Sequence, residues 1–517
     1  MSLALAWARR LAFLSHTRRG WRSLTAALLA LVTWAGLCSG LPAWGATTSG
    51  PAGAPRATPS PTLSWHNCGG GFQCASLSVP LSYAHPNGRT ISLALARFPS
   101  SSRGQTLGSL VINPGGPGAS GIQFLREVAG AFAPDVLDRF NIVSWDPRGV
   151  GQSDPVECES GPALDRFFSL PAAPSTPAQV AAVVSATKAF DEGCVRRSGL
   201  ALLRNISTED TARDLDRIRA ALGDSKLTYL GFSYGTFIGA MYAHLFPTHI
   251  RAMVLDGAVD PALTTEQEDL QQAQGFETDL NDFLSWCQAG NSCALDQAGG
   301  VEAAFQRVLG RLQEGPVPTG HATQPSLDAG LGFYGLAEGL YSTSTWPQLA
   351  DALAAVLHNN GSQLLGLANQ YTGRNANGTY QNILEADTAI SCLDKPSPTS
   401  LATYEADAAA WATVAPTFGP SEAWGPLSCA YWPVPPVEQA GPLTATGAPP
   451  MVVVGSTNDP ATPYAWAQAL ASQLSAVLVT RVGAGHTGYF FSNCVEQVAN
   501  AYLIDLKVPQ PGVTCQS

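Results

Sequence analysis

The stretch formed by residues 227–243, LTYLGFSYGTFIGAMYA, constrains the fold of this chain more than any other. A short apolar run leads into the motif Gly231-x-Ser233-x-Gly235, and residues at helical spacing follow it. A strand, a sharp turn with glycines two positions on either side of a serine, and a helix together present the serine hydroxyl at the carboxyl end of the strand. Such a motif also arises by chance in a chain with 51 glycines. Its surroundings therefore decide whether Ser233 is a nucleophile.

Strands and helices alternate along much of the chain. The predicted strands lie at 109–113, 141–146, 227–231, 252–256, 451–455 and 476–482. A helix is predicted at 207–222 with Ser207 as its N-cap, and a hairpin at 77–98 precedes the first of these strands. Strands that alternate with helices form a parallel sheet covered on both faces. The sequence therefore predicts an α/β fold, a mostly parallel sheet with helices on both faces.

The strand pattern stops between residues 260 and 442. Segments there, such as 276–287 and 301–312, have helical periodicity. We interpret 260–442 as an inserted, mainly helical cap that divides the core into 63–259 and 443–517.

Two polar residues follow the last two predicted strands. Asp459 lies in the loop after 451–455, and His486 lies in a glycine-rich loop after 476–482. Ser233, Asp459 and His486 therefore occur in the order of a catalytic triad, each beyond the carboxyl end of a strand. Taken singly, a histidine in a glycine loop is usually exposed and an aspartate before proline often only forms a turn. Their joint occurrence at the three expected places favours a triad.

A glycine-rich loop, Asn-Pro-Gly-Gly-Pro-Gly at 113–118, directly follows a predicted strand. Such a loop lets backbone N–H groups point into a site without obstruction by side chains. An oxyanion hole needs one amide from this loop and one from the residue after the nucleophile, which makes Gly116 and Tyr234 the candidates. The alternative is a tight glycine-proline turn without a catalytic role.

These motifs together resemble the secreted tripeptidyl aminopeptidases of the α/β-hydrolase superfamily, relatives of the proline iminopeptidases. The resemblance is carried by Trp65, Cys68 and Cys74 with Val79-Pro80-Leu81 after them, the loop at 113–121, the segment WDPRGVGQSD at 145–154, the serine motif, and the loops of Asp459 and His486. These motifs span nearly the whole chain after the first 62 residues. Proline iminopeptidases have a histidine where this chain has Pro114, which favours the tripeptidyl branch.

The resemblance implies the α/β-hydrolase fold, the triad Ser233, Asp459 and His486, and release of short peptides, expected to be tripeptides, from free N-termini. It also implies that acidic cap residues hold the substrate's amino group. Early in the cap lie Glu266, Glu268 and Glu277, but acidic residues on cap helices are usually only solvated, so none is singled out. Asp146 and Arg148 are expected to brace loops. No cofactor or metal is expected.

The first 45 residues have the features of an export signal. Five arginines precede an apolar run at 24–37, and Ala43-Trp44-Gly45 provides a cleavage site. A retained membrane anchor is the alternative, and the export route, general or twin-arginine, stays open. Residues 46–62 are rich in Ala, Pro, Ser, Thr and Gly, which predicts a flexible N-terminal segment. We therefore expect a secreted, extracellular protein without a membrane partner after signal cleavage.

Ten of the 11 cysteines lie beyond this signal. An even number of cysteines in an exported chain predicts five disulfides, and pairing of neighbours along the chain is the simplest hypothesis because sequence does not fix connectivity. Free buried thiols are the alternative. The formal charge of −11 argues against a nucleic-acid partner, which would favour a basic surface.

Three other functions are compatible with these patterns. A secreted carboxylesterase or lipase-like hydrolase would use the same triad, because the triad determines acyl transfer and not the leaving group. A proline iminopeptidase-like aminopeptidase would release single residues. A non-catalytic binding protein on this fold could lose triad members without penalty, and here all three are present.

Overall fold

The computed structural model describes residues 63–516 apart from residues 103, 105, 291–292 and 438–439. The predicted signal peptide at 1–45 and the segment 46–62 lie outside the described residues. In the part of the chain that the structure describes, no helix has both the length and the apolar character needed to cross a bilayer.

The centre of the fold is a ten-stranded sheet with the order β1-β2-β3-β5-β4-β6-β7-β10-β11-β12. The strands are β1 His66–Asn67, β2 Gln73–Pro80, β3 Thr90–Phe98, β4 Ser109–Asn113, β5 Asn141–Trp145, β6 Leu227–Phe232, β7 Ile250–Asp256, β8 Val317–Pro318, β9 Ser326–Leu327, β10 Val452–Asn458, β11 Val477–Ala484 and β12 Thr514–Gln516. β1, β2, β3 and β5 pair antiparallel, and every pair from β5 to β12 is parallel. β8 and β9 form a separate small hairpin.

Helices cover both faces of this sheet. The helices of the core are α1 Gly121–Val128, α2 Pro134–Arg139, α3 Gly161–Phe168, α4 Pro177–Ser198, α5 Leu200–Leu203, α6 Thr208–Leu222, α7 Tyr234–Leu245, α18 Tyr464–Leu474 and α19 Asn493–Asp505. α1, α2 and α19 share one apolar cluster with the sheet, and α6, α7 and α18 share the other. All six residues of β6 are buried because both faces of this central strand are covered.

The predicted α/β fold is confirmed, and the predicted bounds of its strands and helices lie close to the observed ones. α6 begins after Ser207, whose side chain accepts from the Asp210 amide as an N-cap. β10 and β11 extend past the predicted ends at 455 and 482, because their last residues still pair across the two strands. The predicted hairpin is formed by β2 and β3.

The region between β7 and β10 is mostly helical, and we call it the helical insertion. Its helices are α8 Thr265–Gln288, α9 Ala294–Gln297, α10 Val301–Glu314, α11 Ala329–Leu340, α12 Trp346–Leu357, α13 Ser362–Thr372, α14 Ile383–Asp394, α15 Leu401–Trp411, α16 Gly419–Trp424 and α17 Leu427–Tyr431. The segment predicted as a helix at 276–287 is the second half of α8, and that predicted at 301–312 is α10.

Two helices of the insertion pack directly on the loops beyond the sheet. A Cβ on Gly118 would lie 2.1 Å from the Ile383 carbonyl oxygen at the start of α14, and one on Gly275 in α8 would lie 2.6 Å from the Pro460 carbonyl oxygen. The Asn382 amide group fixes α14 further, because it donates to carbonyls of two core residues and accepts from the Gly151 amide. The insertion is therefore held against the carboxyl-terminal edge of the sheet.

Five disulfides join neighbouring cysteines, as hypothesised. The pairs are Cys68–Cys74, Cys158–Cys194, Cys287–Cys293, Cys392–Cys429 and Cys494–Cys515. Two of them close short loops and three close long ones, so their contributions to stability should differ.

Replacing both cysteines of the Cys392–Cys429 pair by serine is expected to lower the free energy of unfolding more than the same change at Cys287–Cys293. The pairs span 37 and 6 residues, and on the chain-entropy model this difference in loop length corresponds to about 1.6 kcal/mol. Denaturant unfolding of the two double variants measures it. Equal or reversed losses would show that native-state packing, and not loop length, sets their contributions.

Candidate active site

Ser233 lies in the turn between β6 and α7. Its backbone has φ 54° and ψ −130°, a conformation that is strained for a residue with a side chain. The turn is held by hydrogen bonds from the Ser233 amide to the Asp256 carbonyl (3.0 Å) and from the Thr236 hydroxyl to the Ser233 carbonyl (2.6 Å). A Cβ on Gly231 would lie 2.4 Å from the Gly235 carbonyl oxygen, so only glycine fits there. The sequence motif therefore produces the predicted turn, with a half-buried Ser233 facing a cavity.

His486 and Asp459 form a buried pair. The imidazole Nδ1 lies 2.8 Å and 3.0 Å from the two carboxylate oxygens of Asp459. Since a carboxylate only accepts, Nδ1 carries the proton and Nε2 is left as the acceptor. Asp459 also accepts from the amides of Ala461 (3.0 Å) and Thr462 (2.8 Å), which fixes the carboxylate in place. The two loops after β10 and β11 thus bring together residues that are 27 positions apart.

His486 lines the same cavity as Ser233. Nε2 is buried and has no hydrogen-bond partner among the described residues, so the Ser233 hydroxyl is not yet in hydrogen-bonding geometry with it. Catalytic hydrogen bonds of this kind are often long in unliganded enzymes and shorten when substrate binds. The arrangement is compatible with proton transfer between the two side chains.

The contacts that His486 makes with two further residues, Thr462 and Tyr341, were not predicted from the sequence. The Thr462 hydroxyl lies 3.3 Å from Nδ1, and the Tyr341 carbonyl accepts from the His486 amide at 2.9 Å. The Tyr341 ring also packs edge-on against the imidazole, with centroids 5.6 Å apart. Thr462 lies three residues after Asp459 and could have been suspected, whereas Tyr341 follows the insertion's helix α11 and has no local sequence signal. The helical insertion therefore contacts the imidazole directly.

The loop at 113–118 lies against the serine turn. A Cβ on Gly115 would lie 2.6 Å from the Phe232 carbonyl oxygen and 2.8 Å from the Tyr234 amide nitrogen. Gly115 and Gly116 have φ of 95° and 112°, a region open to glycine. Gly116 and Tyr234, the two predicted amide donors, both line the cavity with Ser233. Both candidates therefore line the cavity that Ser233 faces, and their role as amide donors stays a prediction.

Asp256, at the end of β7, connects the serine turn with the histidine loop. Its carboxylate accepts from the amides of Gly488 (2.9 and 3.0 Å) and Tyr489 (2.7 Å), while its backbone carbonyl accepts from Ser233. Burial raises the pKa of this carboxyl to about 6, although the two amide donors lower it. Asp256 was not predicted as a site residue and does not line the cavity.

Asp146 and Arg148 lie outside the cavity and join loops of the core. Asp146 accepts from the Ser120 hydroxyl (2.6 Å) and from the amides of Ile122 and Gln152. Arg148 is fully buried, pairs with Asp214 through two 2.7 Å hydrogen bonds, and donates to backbone carbonyls of three further residues. These contacts agree with the expected bracing role.

The cavity has a volume of about 510 Å³ and a strongly acidic lining. The charged residues among its described lining are one lysine, Lys395, and seven acidic residues, Glu127, Glu268, Asp269, Glu338, Asp387, Asp394 and Glu422. Lys395 is paired with Glu268 at 2.7 Å. Because acidic residues outnumber basic ones in the lining, the ionised carboxyl groups would attract a cation into the cavity.

Burial raises the pKa of several of these carboxyl groups. It raises the pKa of Glu338 and of Glu422 to about 7, and together with the neighbouring Glu268 it raises that of Asp387 to about 7. The pKa of Asp269 is raised strongly by burial and then by Glu268 and Glu422. An incoming cation would favour the ionised forms of these groups.

The three acidic residues considered in the sequence have different positions. Glu268 lines the cavity, whereas Glu266 is exposed on the first turn of α8. Glu277 accepts from the Thr417 and Phe418 amides inside the helical insertion and does not reach the cavity. The other acidic lining residues of the insertion were missed because they are distant in sequence.

Comparison with known proteins gives consistent matches. Residues 108–298 match the family described as α/β hydrolase fold, and residues 415–515 match the family described as TAP-like protein. The chain is 39% identical to serine protease Hip1 of Mycobacterium tuberculosis, over 86% of this chain and 88% of that protein.

Two further relatives are similar over most of their length. Carboxylesterase B of Mycobacterium tuberculosis is 37% identical, over 94% of this chain and 97% of the relative. Tripeptidyl aminopeptidase of Streptomyces lividans is 32% identical, over 88% and 86%. These matches confirm the resemblance identified from the motifs. The chain is therefore a serine hydrolase that belongs to the tripeptidyl aminopeptidase-like family of the α/β-hydrolase superfamily.

Proposed function

We propose that this protein is an exported serine exopeptidase that releases short peptides, tripeptides, from free amino termini. The observation that carries the proposal is the acidic cavity beneath the helical insertion, which opens on both Ser233 and His486. The names of two relatives, a serine protease and a tripeptidyl aminopeptidase, support peptide substrates. Export is supported by the five disulfides, which persist in oxidising compartments.

In the proposed reaction Ser233 attacks the scissile carbonyl carbon. His486 Nε2 takes the hydroxyl proton, and Asp459 stabilises the imidazolium through the Nδ1–H bond. The negative oxygen of the tetrahedral intermediate accepts from the amides of Gly116 and Tyr234. Breakage of the C–N bond transfers the proton from His486 to the leaving amine and leaves an acyl-enzyme. Water, deprotonated by His486, then releases the peptide and restores the Ser233 hydroxyl.

The acidic lining gives the reaction its preference for chain ends. A substrate ammonium would be attracted to the carboxylates of Glu268, Asp269, Asp387 and Glu422, and one such pair 4 Å apart contributes roughly 4 kcal/mol at an effective dielectric of about 20. An internal peptide segment has no ammonium to offer and would leave Asp269, Asp387 and Glu422 without a counter-charge of their own, because Lys395 is already paired with Glu268.

The position of the helical insertion supports the same conclusion. α14 packs on the loop at Gly118, and α8 packs on the loop of Asp459, so the insertion covers the site as a cap. A chain terminus can enter a cavity covered in this way, whereas a continuous polypeptide would have to thread through it.

The test compares a tripeptide anilide with its N-acetylated form. Acetylation removes the positive charge but leaves the scissile bond unchanged, so kcat/KM is expected to fall at least about a hundredfold, as expected when one partner of a buried charge pair is lost. Mass spectrometry of products from longer peptides should show successive N-terminal tripeptides.

Other outcomes point to other functions. Equal cleavage of the acetylated anilide, or internal fragments from a protein, would contradict exopeptidase activity, and release of single residues would indicate an iminopeptidase-like enzyme. The name of one relative, carboxylesterase B, makes an esterase the second candidate. Faster turnover of short esters without an amino group than of any free tripeptide anilide would favour it.

A further inference from the structure

Glu338 is a buried acidic residue of the cavity. Its side chain lies on α11, is 3% exposed, and lines the cavity. Its Oε1 is buried and has no hydrogen-bond partner among the described residues. An isolated buried carboxyl group destabilises a fold unless something compensates for it. Such a group, facing a substrate cavity, indicates a ligand of opposite charge.

Glu338 is close to the candidate catalytic histidine. Tyr341 follows it by three residues, about one helical turn, which places neighbouring side chains about 5–6 Å apart. The Tyr341 carbonyl accepts from the His486 amide at 2.9 Å, and its ring packs against the imidazole. Burial and then the charges of Glu338, Glu422 and Asp459 raise the pKa of the Tyr341 phenol, which is consistent with the proximity of Glu338. A group bound at Glu338 would therefore lie near the bond that is broken.

Four of the remaining acidic residues of the cavity interact with one another. The charges of Glu268, Glu422 and Asp387 raise the pKa of Asp269, so these four carboxyl groups lie close enough to interact. Lys395 is paired with one of them, Glu268. We call Glu268, Asp269, Asp387 and Glu422 the acidic group. None of its members is among the causes of the raised pKa of Glu338, for which burial is the main cause.

The other two acidic lining residues already have hydrogen-bond partners. Asp394 accepts from the Thr208 amide and hydroxyl, and Glu127 accepts from the Gln123 amide group. In the described part of the chain, no cluster of three or more His, Cys, Asp or Glu side chains is arranged to hold a metal ion. The counter-charge for Glu338 is therefore best supplied by the substrate itself.

The proposed function assigns the peptide ammonium to the acidic group, which leaves Glu338 without a counter-charge among the described residues. Resting on the proposed function, which assigns the amino terminus to the acidic group, we infer that Glu338 binds the cationic side chain of a lysine or arginine in the released peptide. The aromatic wall formed by Phe333, Tyr334 and Tyr341 would pack against the aliphatic stem of that side chain. The favoured substrates are then peptides with two positive charges, one at the amino terminus and one on a side chain.

The experiment uses free tripeptide anilides with lysine at each position in turn, each paired with a norleucine analogue that has a similar stem without the charge. For the wild-type protein, the kcat/KM ratio of lysine to norleucine is expected to be at least about tenfold at one position. In Glu338→Gln this ratio should fall to about one. Glu266→Gln is the matched control, because Glu266 is an exposed carboxylate on the insertion, and it should keep the wild-type ratio.

A ratio near one at all three positions of the wild-type protein would overturn the inference, as would a lysine preference that survives in Glu338→Gln. If Glu338→Gln does not fold, judged by circular dichroism, Glu338→Met replaces it, because methionine suits the apolar surroundings.

Repeating the comparison with N-acetylated substrates separates the two proposals. Loss of the acetylation effect in Glu338→Gln would assign the amino terminus to Glu338 and overturn the second site. Two results together would overturn only the exopeptidase function: acetylation leaves turnover by the wild-type protein unchanged, and the lysine preference of the wild type is absent in Glu338→Gln.

Discussion

Replacing Ser233 by alanine is expected to lower kcat by roughly 10⁴- to 10⁶-fold, the range found when the nucleophile of such a triad is removed. The reason is that Ser233 is the residue of the turn between β6 and α7, and it lines the cavity together with both amide candidates and His486. KM and the unfolding midpoint should change little, because alanine has the small Cβ that the turn already accommodates. Turnover of a free tripeptide anilide, with the active enzyme fraction titrated, measures the effect.

Covalent labelling provides the control for that experiment. Ser421 also lines the cavity but lies on the helical insertion, so Ser421→Ala should still react with a fluorophosphonate reagent while Ser233→Ala should not. A Ser233→Ala protein that is folded, labelled and active would contradict the assignment of the nucleophile.

Replacing Asp459 by asparagine is expected to lower kcat by about 10⁴-fold with little change in KM. The asparagine oxygen can still accept from the Ala461 and Thr462 amides, so the loop should keep its shape. The side chain can no longer stabilise an imidazolium, and its NH₂ group favours the tautomer of His486 that has the proton on Nε2. That tautomer cannot accept the Ser233 proton. Steady-state kinetics together with the unfolding midpoint separate this effect from a loss of structure.

Asp282→Asn is the matched control for Asp459→Asn. Asp282 accepts from the Asn458 side chain at 2.6 Å, directly beside Asp459, but makes no hydrogen bond to the imidazole among the described residues. It should therefore retain kcat within a few-fold of the wild-type value. Equal losses in the two variants would mean that the charge of the whole region matters and not the contact with His486.

The sequence predicted the parts of the site that depend on local patterns. The glycines around Ser233 are required by close approaches of the backbone, and the Asp459 and His486 loops follow strands whose apolar character is visible in the sequence. Parallel strands bring their carboxyl ends to one edge, so the three residues could be placed together before their contacts were known. Pairing of neighbouring cysteines was the simplest hypothesis, and the structure confirms it for the two short separations and for the three long ones.

The lining of the cavity could not be predicted in the same way. Glu268 and Glu277 lie on the same helix, and periodicity alone does not tell which of them faces the cavity and which caps the backbone at Thr417. Glu338, Asp387 and Glu422 come from three further helices whose packing depends on long-range contacts. The position of each acid is a property of the tertiary packing and not of its own segment.

The contact between Gly118 and Ile383 has a consequence for how this enzyme can change. The loop that carries Gly116 and the helix that carries Asp387 meet with backbone against backbone, without side chains that could adjust between them. A substitution that moves α14 to accept a new substrate would also move the loop beside Ser233. Substrate preference and turnover should therefore evolve together. A helical insertion transplanted from a relative would have to bring its matching glycine loop with it.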